Sequence, residues 1–377
     1  MRKAFIISLS ALAVLSGCSK VQEQPAGQAY DDAWKYDESL PVPIIFSNGP
    51  EVSVDVKAMY EGNVMKNLPV GIFALATEYE ESGSPGNTGD DKHLPLWNTS
   101  LSQDGSIIPG EGVLMSNTRV VTGENGEIEF SEPQYYPFDR TYAYSFYSYC
   151  PHHKVTYEDG WYKAAYSVGY DDIMWAESHA EPYTDSDGKV FYGYNSDYIR
   201  ATGKNGDESH LPSLNYEHLL TGLNFTAEFD APEEFTIVNF YLESLPTKVA
   251  LRIAGNSSVD PDGSGAGTFE VLERERLYIL KDGKADIEVD SSSPEIGTLM
   301  VLPAGPGEEL YATVVVRDNA NPNHWTYRSE RIPFSHDEGF KAGERYKITV
   351  KVLGREGVKI LNSGLTGWKD WEELETE

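Results

Sequence analysis

The chemistry open to this chain of 377 residues lies in eight histidines, two cysteines and 60 acidic side chains. The histidines are His93, His152, His153, His179, His210, His218, His324 and His336, single except for one adjacent pair. None stands in the His-Glu-x-x-His spacing that sets two imidazoles on one helix face for zinc, and no Gly-x-Ser-x-Gly elbow presents a nucleophile. Cys150-Pro151-His152-His153 offers a thiol and two imidazoles, ligand types suited to a transition metal. A closed zinc site takes about four ligands. No second cluster stands nearby, so Cys150 reads as a strand-end thiol in an apolar setting. Asp260-Pro261-Asp262-Gly263-Ser264-Gly265 resembles a fragment of a calcium loop without its full pattern. It reads as an acidic turn, as do Asp185 and Asp187. Paired carboxylates hydrolyse glycosides, yet no local signature selects a pair here. The residues name no catalytic group, no metal site and no cofactor, and the chain reads as a non-enzyme.

Two aromatic and imidazole features remain. Tyr142, Tyr144, Phe146, Tyr147 and Tyr149 would stack on sugars if exposed. Such runs more often pack across strands, and core plus one sheet face is the expectation. His218 is expected at a core edge, hydrogen-bonded between domains.

The remaining reactive group is Cys18. Arg2 and Lys3 precede an apolar stretch, Ala4 to Leu15, too short for the roughly 20 residues of a spanning helix. With small residues before the break, it reads as a signal peptide over residues 1–17. Leu15-Ser16-Gly17-Cys18 looks like a lipobox, in which the thiol is diacylated and the chain is cut before Cys18. Ser19 follows where an Asp would favour the inner membrane, so the expected address is the outer membrane, reached through the lipid alone. Loss of Arg2 and Lys3 leaves 28 basic against 60 acidic residues, a net charge of −32. That surface repels phosphate backbones and excludes nucleic acid as a partner. With Cys18 acylated, Cys150 has no intramolecular disulfide partner, and the fold must rest on its hydrophobic core.

The elements around these residues read as strands. Residues 18–42 are polar from Ser19 to Leu40 and run into Pro41 and Pro43, the pattern of a flexible tether. Beyond them Val52, Val54 and Val56 alternate with polar residues, as do Tyr346, Ile348, Val350 and Val352. Period-2 alternation places one set of side chains in a core and the other in solvent. Further strands are expected at Val70–Ala76, Gly126–Phe130, Tyr142–Tyr149, Leu223–Phe229, Ile237–Leu242, Val249–Ile253, Ala285–Val289 and Tyr311–Arg317. Turn signals stand at Asn125-Gly126, Asp185–Gly188 and Lys281-Asp282-Gly283-Lys284. Helices are nearly absent, with one turn at Asp230–Glu234. The pattern predicts an all-β chain of β-sandwiches, divided near Ala201–His210 into domains 43–205 and 206–377.

Several short patterns, in order, resemble the fimbrillin family, the Mfa-like and major fimbrial subunits of Bacteroidales type V pili. They are Val70-Gly71-Ile72-Phe73-Ala74, Tyr135-Tyr136-Pro137, Tyr144 to Pro151 and Asp172-Ile173-Met174-Trp175-Ala176. Leu214 to Phe225, Met300-Val301-Leu302-Pro303, Phe340 to Val350 and Gly367-Trp368 complete the set. The resemblance implies two transthyretin-like β-sandwich domains in tandem and a structural subunit of a fimbrium that serves adhesion, partnered by other fimbrial subunits and by a host or glycan ligand. It also implies strand exchange, in which a protease removes an N-terminal strand and another subunit's C-terminal strand fills the groove. In this sequence Ile44, Phe46, Val52, Val54 and Val56 map onto the removable strand. Val358, Ile360, Leu361, Leu365 and Trp368 map onto the donor strand. The cut maps to Lys57-Ala58, where members processed by arginine-specific proteases carry Arg; a lysine ammonium lacks the planar fork such a pocket reads. An uncut chain would remain a surface lipoprotein, and a glycan-binding lipoprotein of a polysaccharide uptake system is the alternative reading.

Overall fold

Strands make up 53% of the computed structural model against 5% helix, so the class is all-β. The structure describes residues 32–47, 65–77, 96–124, 126–138, 142–204, 208–231, 233–261, 263–333, 339–354 and 357–365. The leader 1–17, Cys18, Val52, Val54, Val56, Lys57, Ala58 and Trp368 lie outside the described residues. In chain order the first strands are β1 Val42–Pro43, β2 Pro69–Thr77, β3 Thr99–Leu101, β4 Ile107–Pro109, β5 Val113–Val121, β6 Tyr135–Tyr136 and β7 Ala143–Cys150. There follow β8 Val155–Glu158, β9 Trp161–Ser167, β10 Met174–Ser178, β11 Tyr183–Thr184, β12 Val190–Phe191, helix α1 Ser196–Gly203 and β13 Glu217–His218. The rest are β14 Thr221–Phe229, β15 Phe235–Gly255, β16 Thr268–Tyr278, β17 Glu295–Val301, β18 Leu310–Asp318, β19 Asn321–Ile332, β20 Arg345–Val352 and β21 Val358–Leu365.

Three sheets carry the body. A five-stranded sheet runs β13-β10-β7-β2-β5, and a four-stranded sheet runs β17-β14-β20-β21 with β14 parallel to β20. The third runs β19-β18-β15-β9-β8, with β16 on the far side of β15. Strand β15 is 21 residues long. Its first part pairs with β18 and its second with β9, while β16 pairs along most of its length. One strand therefore serves both halves of the chain, and all described residues belong to a single unit, Asp31–Glu377.

Burial follows the pleat. Leu310, Ala312, Val314 and Val316 of β18 face a core shared with Leu223 and Phe225 of β14 and Ile348 and Val350 of β20. In β7 both faces are buried: Tyr144, Phe146 and Cys150 point into one core, Tyr147 and Tyr149 into another. A strand covered on both sides reads as a continuous apolar run rather than an alternation. The aromatic run is thus central core, with Tyr142 alone partly exposed.

Several expectations are corrected. Gly126–Phe130 and Ala285–Val289 are not strands, although Phe130, Ile287 and Val289 are buried. Alternation reports one-sided burial, which a loop pressed onto a sheet shares. Ile237–Leu242 and Val249–Ile253 are parts of the one strand β15. Asp230–Glu234 is a turn closed by Glu234 N–H on the Ala231 carbonyl, at 3.1 Å. The stretch 201–210 begins in α1, which Asn195 caps by accepting from Tyr198 N–H at 2.9 Å. Residues 32–42, expected as tether, are built into the body: Trp34 and Val42 are buried. The turn at Lys281–Lys284 does form, with Asp282 and Gly283 both at positive φ, the geometry of a tight hairpin turn.

Candidate assembly site

Residues 32–47 form a strap across the outer face of the five-stranded sheet. Trp34, Val42, Ile44 and Phe46 are 6, 1, 2 and 5% exposed and share a core with Ile72, Phe130, Tyr136 and Phe146. The Phe46 ring lies 5.1 Å from Phe146, edge-on, and 6.1 Å from Phe130. Pro43 has no N–H to donate, and the ladder is short: Val42–Pro43 pair with Tyr135–Tyr136, and Ile44 N–H donates to Gln134 O at 2.8 Å. Arg200 of α1 clasps the strap by donating to the carbonyls of Trp34, at 3.0 Å, and Leu40. Side chains in pockets, more than backbone pairing, hold this segment.

At the other end of the chain, β21 pairs only with β20 and forms the edge of its sheet. Val358 and Ile360 are buried in the chain's own core, Leu361 is partly exposed and Leu365 is 46% exposed. Asn362 Nδ2 donates to Pro333 O at 3.1 Å. Edge strand β19 lies beside β21, and a cleft of about 530 Å³ between the two sheets opens there, lined by Phe235, Val316, His324, Thr326, Arg328 and Val358. The strap and the C-terminal strand are thus separate places, each with its own core.

The residues that suggested chemistry are structural. Cys150 is 2% exposed, and burial, with the nearby Asp172 carboxyl, pushes its thiol up to about 12. Burial and Arg119 hold His152 below its ordinary value. Among the described residues no three His, Cys, Asp or Glu side chains are placed to share a metal. Asp260 is buried and accepts from Gly265 N–H at 3.0 Å, closing its own turn; Asp262 lies outside the described residues. Asp185 accepts from the N–H groups of Asp187 and Lys189, closing the β11–β12 turn. Sequence spacing did not disclose Ser145, His179 and Glu177, which stand in a chain: Ser145 Oγ to His179 Nδ1 at 2.7 Å, His179 Nε2 to Glu177 Oε2 at 3.1 Å. A nucleophile needs access. Ser145 is 1% exposed in the middle of β7, so the chain orients side chains and attacks nothing. His218 shares a hydrogen bond with Asp172 beside Arg345, the first residue of β20, at the meeting of β13, β10 and β20. Burial, then Arg345, holds His218 down to about 3; burial pushes Asp172 up to about 7, against the Ile173 N–H and Arg345.

A model of the fimbrillin-like family matches residues 58–368. The chain belongs to that family. It is a family of structural fimbrial and adhesion proteins. The match opens at Ala58, the residue after Lys57. Similar solved structures include a candidate cell adhesion protein of Bacteroides uniformis, 14% identical, with TM-score 0.45, covering 88% of this chain and 100% of that one. A fimbrial protein of Bacteroides vulgatus is 13% identical, with TM-score 0.45, covering 86% and 99%. A candidate cell adhesion protein of Bacteroides ovatus is 13% identical, with TM-score 0.42, covering 87% and 98%. No curated protein matches the sequence. No helix among the described residues of this fimbrillin-like chain is long and apolar enough to cross a membrane.

Proposed function

We propose that this chain is a structural subunit of a fimbrium, exported as a lipoprotein through Cys18 to the outer membrane and assembled at the cell surface by strand exchange, where it serves adhesion. The observation that carries this reading is the strap. Four buried side chains enter a core of their own sheet, yet a two-residue ladder and a few single hydrogen bonds are its main-chain hold. A segment held mainly by its side chains can be replaced by another strand with the same spacing of apolar residues, which would satisfy both pockets and backbone. A cut at Lys57-Ala58 would release it, together with Val52, Val54 and Val56. The donor would be the C-terminal strand, with Val358, Ile360, Leu361, Leu365 and Trp368 leaving their own chain for a neighbour's groove. Other subunits, identical or related, are the partners, and neither catalysis nor a cofactor is required.

The domains in this reading are 43–205 and 206–377, both transthyretin-like sandwiches. Their support is the separation of two buried clusters, one drawn from Trp34 to Tyr216 and the other from Leu223 to Ile360. A third cluster, from Phe73 to Met300, joins the halves through β15. The alternative of a glycan-binding uptake lipoprotein rested on the run Tyr142–Tyr149, and burial of β7 removes that surface from it.

The test is intact mass and N-terminal sequencing of the protein taken from its native cell surface. A mature start at Ala58 is expected. A start at acylated Cys18 with no shorter form would overturn exchange at the strap.

A further inference from the structure

The solvent face of the β18–β19 pair carries aromatic side chains that no core uses. Leu310, Ala312, Val314 and Val316 of β18 point into the core, so Tyr311, Thr313, Val315 and Arg317 lie on the opposite face. There Thr313 and Val315 are themselves buried, Val315 in a small cluster with Val238 and Tyr241. Directly opposite them on β19 stand Arg331, Ser329, Tyr327 and Trp325. Cross-strand partners share a face. Trp325 is 50% and Tyr327 62% exposed, whereas every other described tryptophan is buried. Large aromatic groups left in water on an ordered strand are the informative exception to burial.

We propose that Trp325 and Tyr327 form a binding platform for a neutral saccharide. Three features select that ligand. The rings are two residues apart on one strand face, about 7 Å along the strand, in a row that neighbouring sugar units of a glycan chain can span. The π faces carry negative quadrupole charge and attract the C–H faces of pyranose rings, which bear slight positive charge. Trp325 is fixed in advance, because its Nε1 donates to the Pro322 carbonyl at 2.9 Å, so less ordering is needed on binding.

Charge decides against an anionic glycan. Arg317 is paired with Glu288 at 3.0 Å, and Arg331 with Glu309 at 3.5 Å, so the cations beside the rings are already neutralised. The whole chain carries a net charge of −30, which opposes an approaching polyanion. These ion pairs and the Tyr311 hydroxyl, which donates to Glu309 at 2.9 Å, border the platform with groups able to bond sugar hydroxyls. Platform and strand-exchange surface differ in kind. An incoming strand would take the place of residues 32–47 on the five-stranded sheet, whereas the rings of β19 stand on another sheet and stay open.

The platform gives a ligand to the adhesion part of the subunit reading and is tested apart from assembly. Isothermal calorimetry of the full chain against cellohexaose, mannohexaose, xylohexaose and chitohexaose, with a hyaluronan hexasaccharide as the anionic comparison, reads binding directly. At least one neutral hexasaccharide is expected to bind and the anionic one is not. Trp325→Ala and Tyr327→Ala should each weaken binding about tenfold, the scale of losing one aromatic anchor. Phe138→Ala, on an exposed aromatic elsewhere, should leave it unchanged, and unaltered melting of all three variants excludes unfolding. Failure of every neutral probe at millimolar concentration overturns the platform, as does binding that survives the double variant. Loss of chain–chain association in Trp325→Ala, read by sedimentation, would make the face a subunit contact and overturn it equally. A mature start at Ala58 is read on another sample and stands or falls independently.

Discussion

Replacing Phe46 by alanine tests the strap at its aromatic contact with the sheet. The side chain is 5% exposed and its ring packs edge-on to Phe146 at 5.1 Å and tilted against Phe130 at 6.1 Å. A buried phenylalanine removes roughly 150–200 Å² from water, and at about 25 cal/mol per Å² this amounts to roughly 4–5 kcal/mol. Compactness of the unfolded chain lowers that figure, and truncations of buried phenylalanine cost about 3–5 kcal/mol. A loss near 4 kcal/mol is therefore expected for the uncut chain, a fall in Tm of about 5 °C for a protein of this size. The assay is thermal and urea unfolding of the uncut chain beside Tyr36→Ala, whose 74% exposed ring should cost under about 0.5 kcal/mol. In a chain starting at Ala58, Phe146 and Ile72 lose their cover and a hydrophobic dye should bind. A peptide of Leu40–Ser47 supplied in trans should displace the dye, and the same peptide with alanine at the Phe46 position should not. A fall in Tm below about 2 °C for Phe46→Ala would refute the strap as a core-filling element.

Three further outcomes follow from the same structure. For a carboxyl raised from 3.8 to about 7, as in Asp172, the folded state holds the extra proton, so its contribution is lost as pH rises toward 7. For a histidine lowered from 6.5 to about 3, as in His218, the unfolded state holds it, so stability is lost as pH falls below 6.5. Between about pH 4 and 6.5 the two slopes oppose, and stability of the native protein should be nearly flat. Asp172→Asn should expose the histidine slope, up to about 1.4 kcal/mol lost per pH unit on acidification, and His218→Asn the opposite slope. Urea titrations across that range read both, and parallel profiles for the two variants would contradict the coupling. Cys150, buried with its thiol up at about 12, should resist a disulfide reagent at about pH 8 until denaturant is added. Truncation before Val358 should leave chains unassembled by sedimentation and lower Tm through loss of Val358 and Ile360 from the core; polymer formation by the truncated chain would remove the donor role from β21.

Amino-acid sequence alone determined the class of this protein and the places where its strands turn. Alternation at Leu223–Phe229 and Tyr346–Val352 is a local record of one face in a core and one toward water, and each became a strand, while the apolar run Val70–Ala76 became a strand buried on both faces. The Lys281–Lys284 turn was legible because Asp-Gly tolerates the positive φ a tight hairpin needs. Patterns such as Asp172–Ala176 and Phe340–Val350 carried the family, to which the chain belongs. Strands β16 and β19 were not legible, because edge strands with charged or turn-forming residues, as in Asn321-Pro322-Asn323-His324, put only single residues such as Leu277 and Ile332 into the core. Which aromatic residues meet water was decided only by tertiary structure. Tyr142–Tyr149 and Trp325–Tyr327 both place rings at alternate positions, yet the first lies in a strand covered by two layers and the second on an open sheet face. Burial is set by neighbours distant in the chain, such as Ile72, Trp34 and Leu251 around β7, and no local spacing encodes their arrival. For the same reason the tether's last residues gave no sign of docking: Trp34 and Leu40 are held by Arg200, more than 150 positions away, and only the folded chain brings them together.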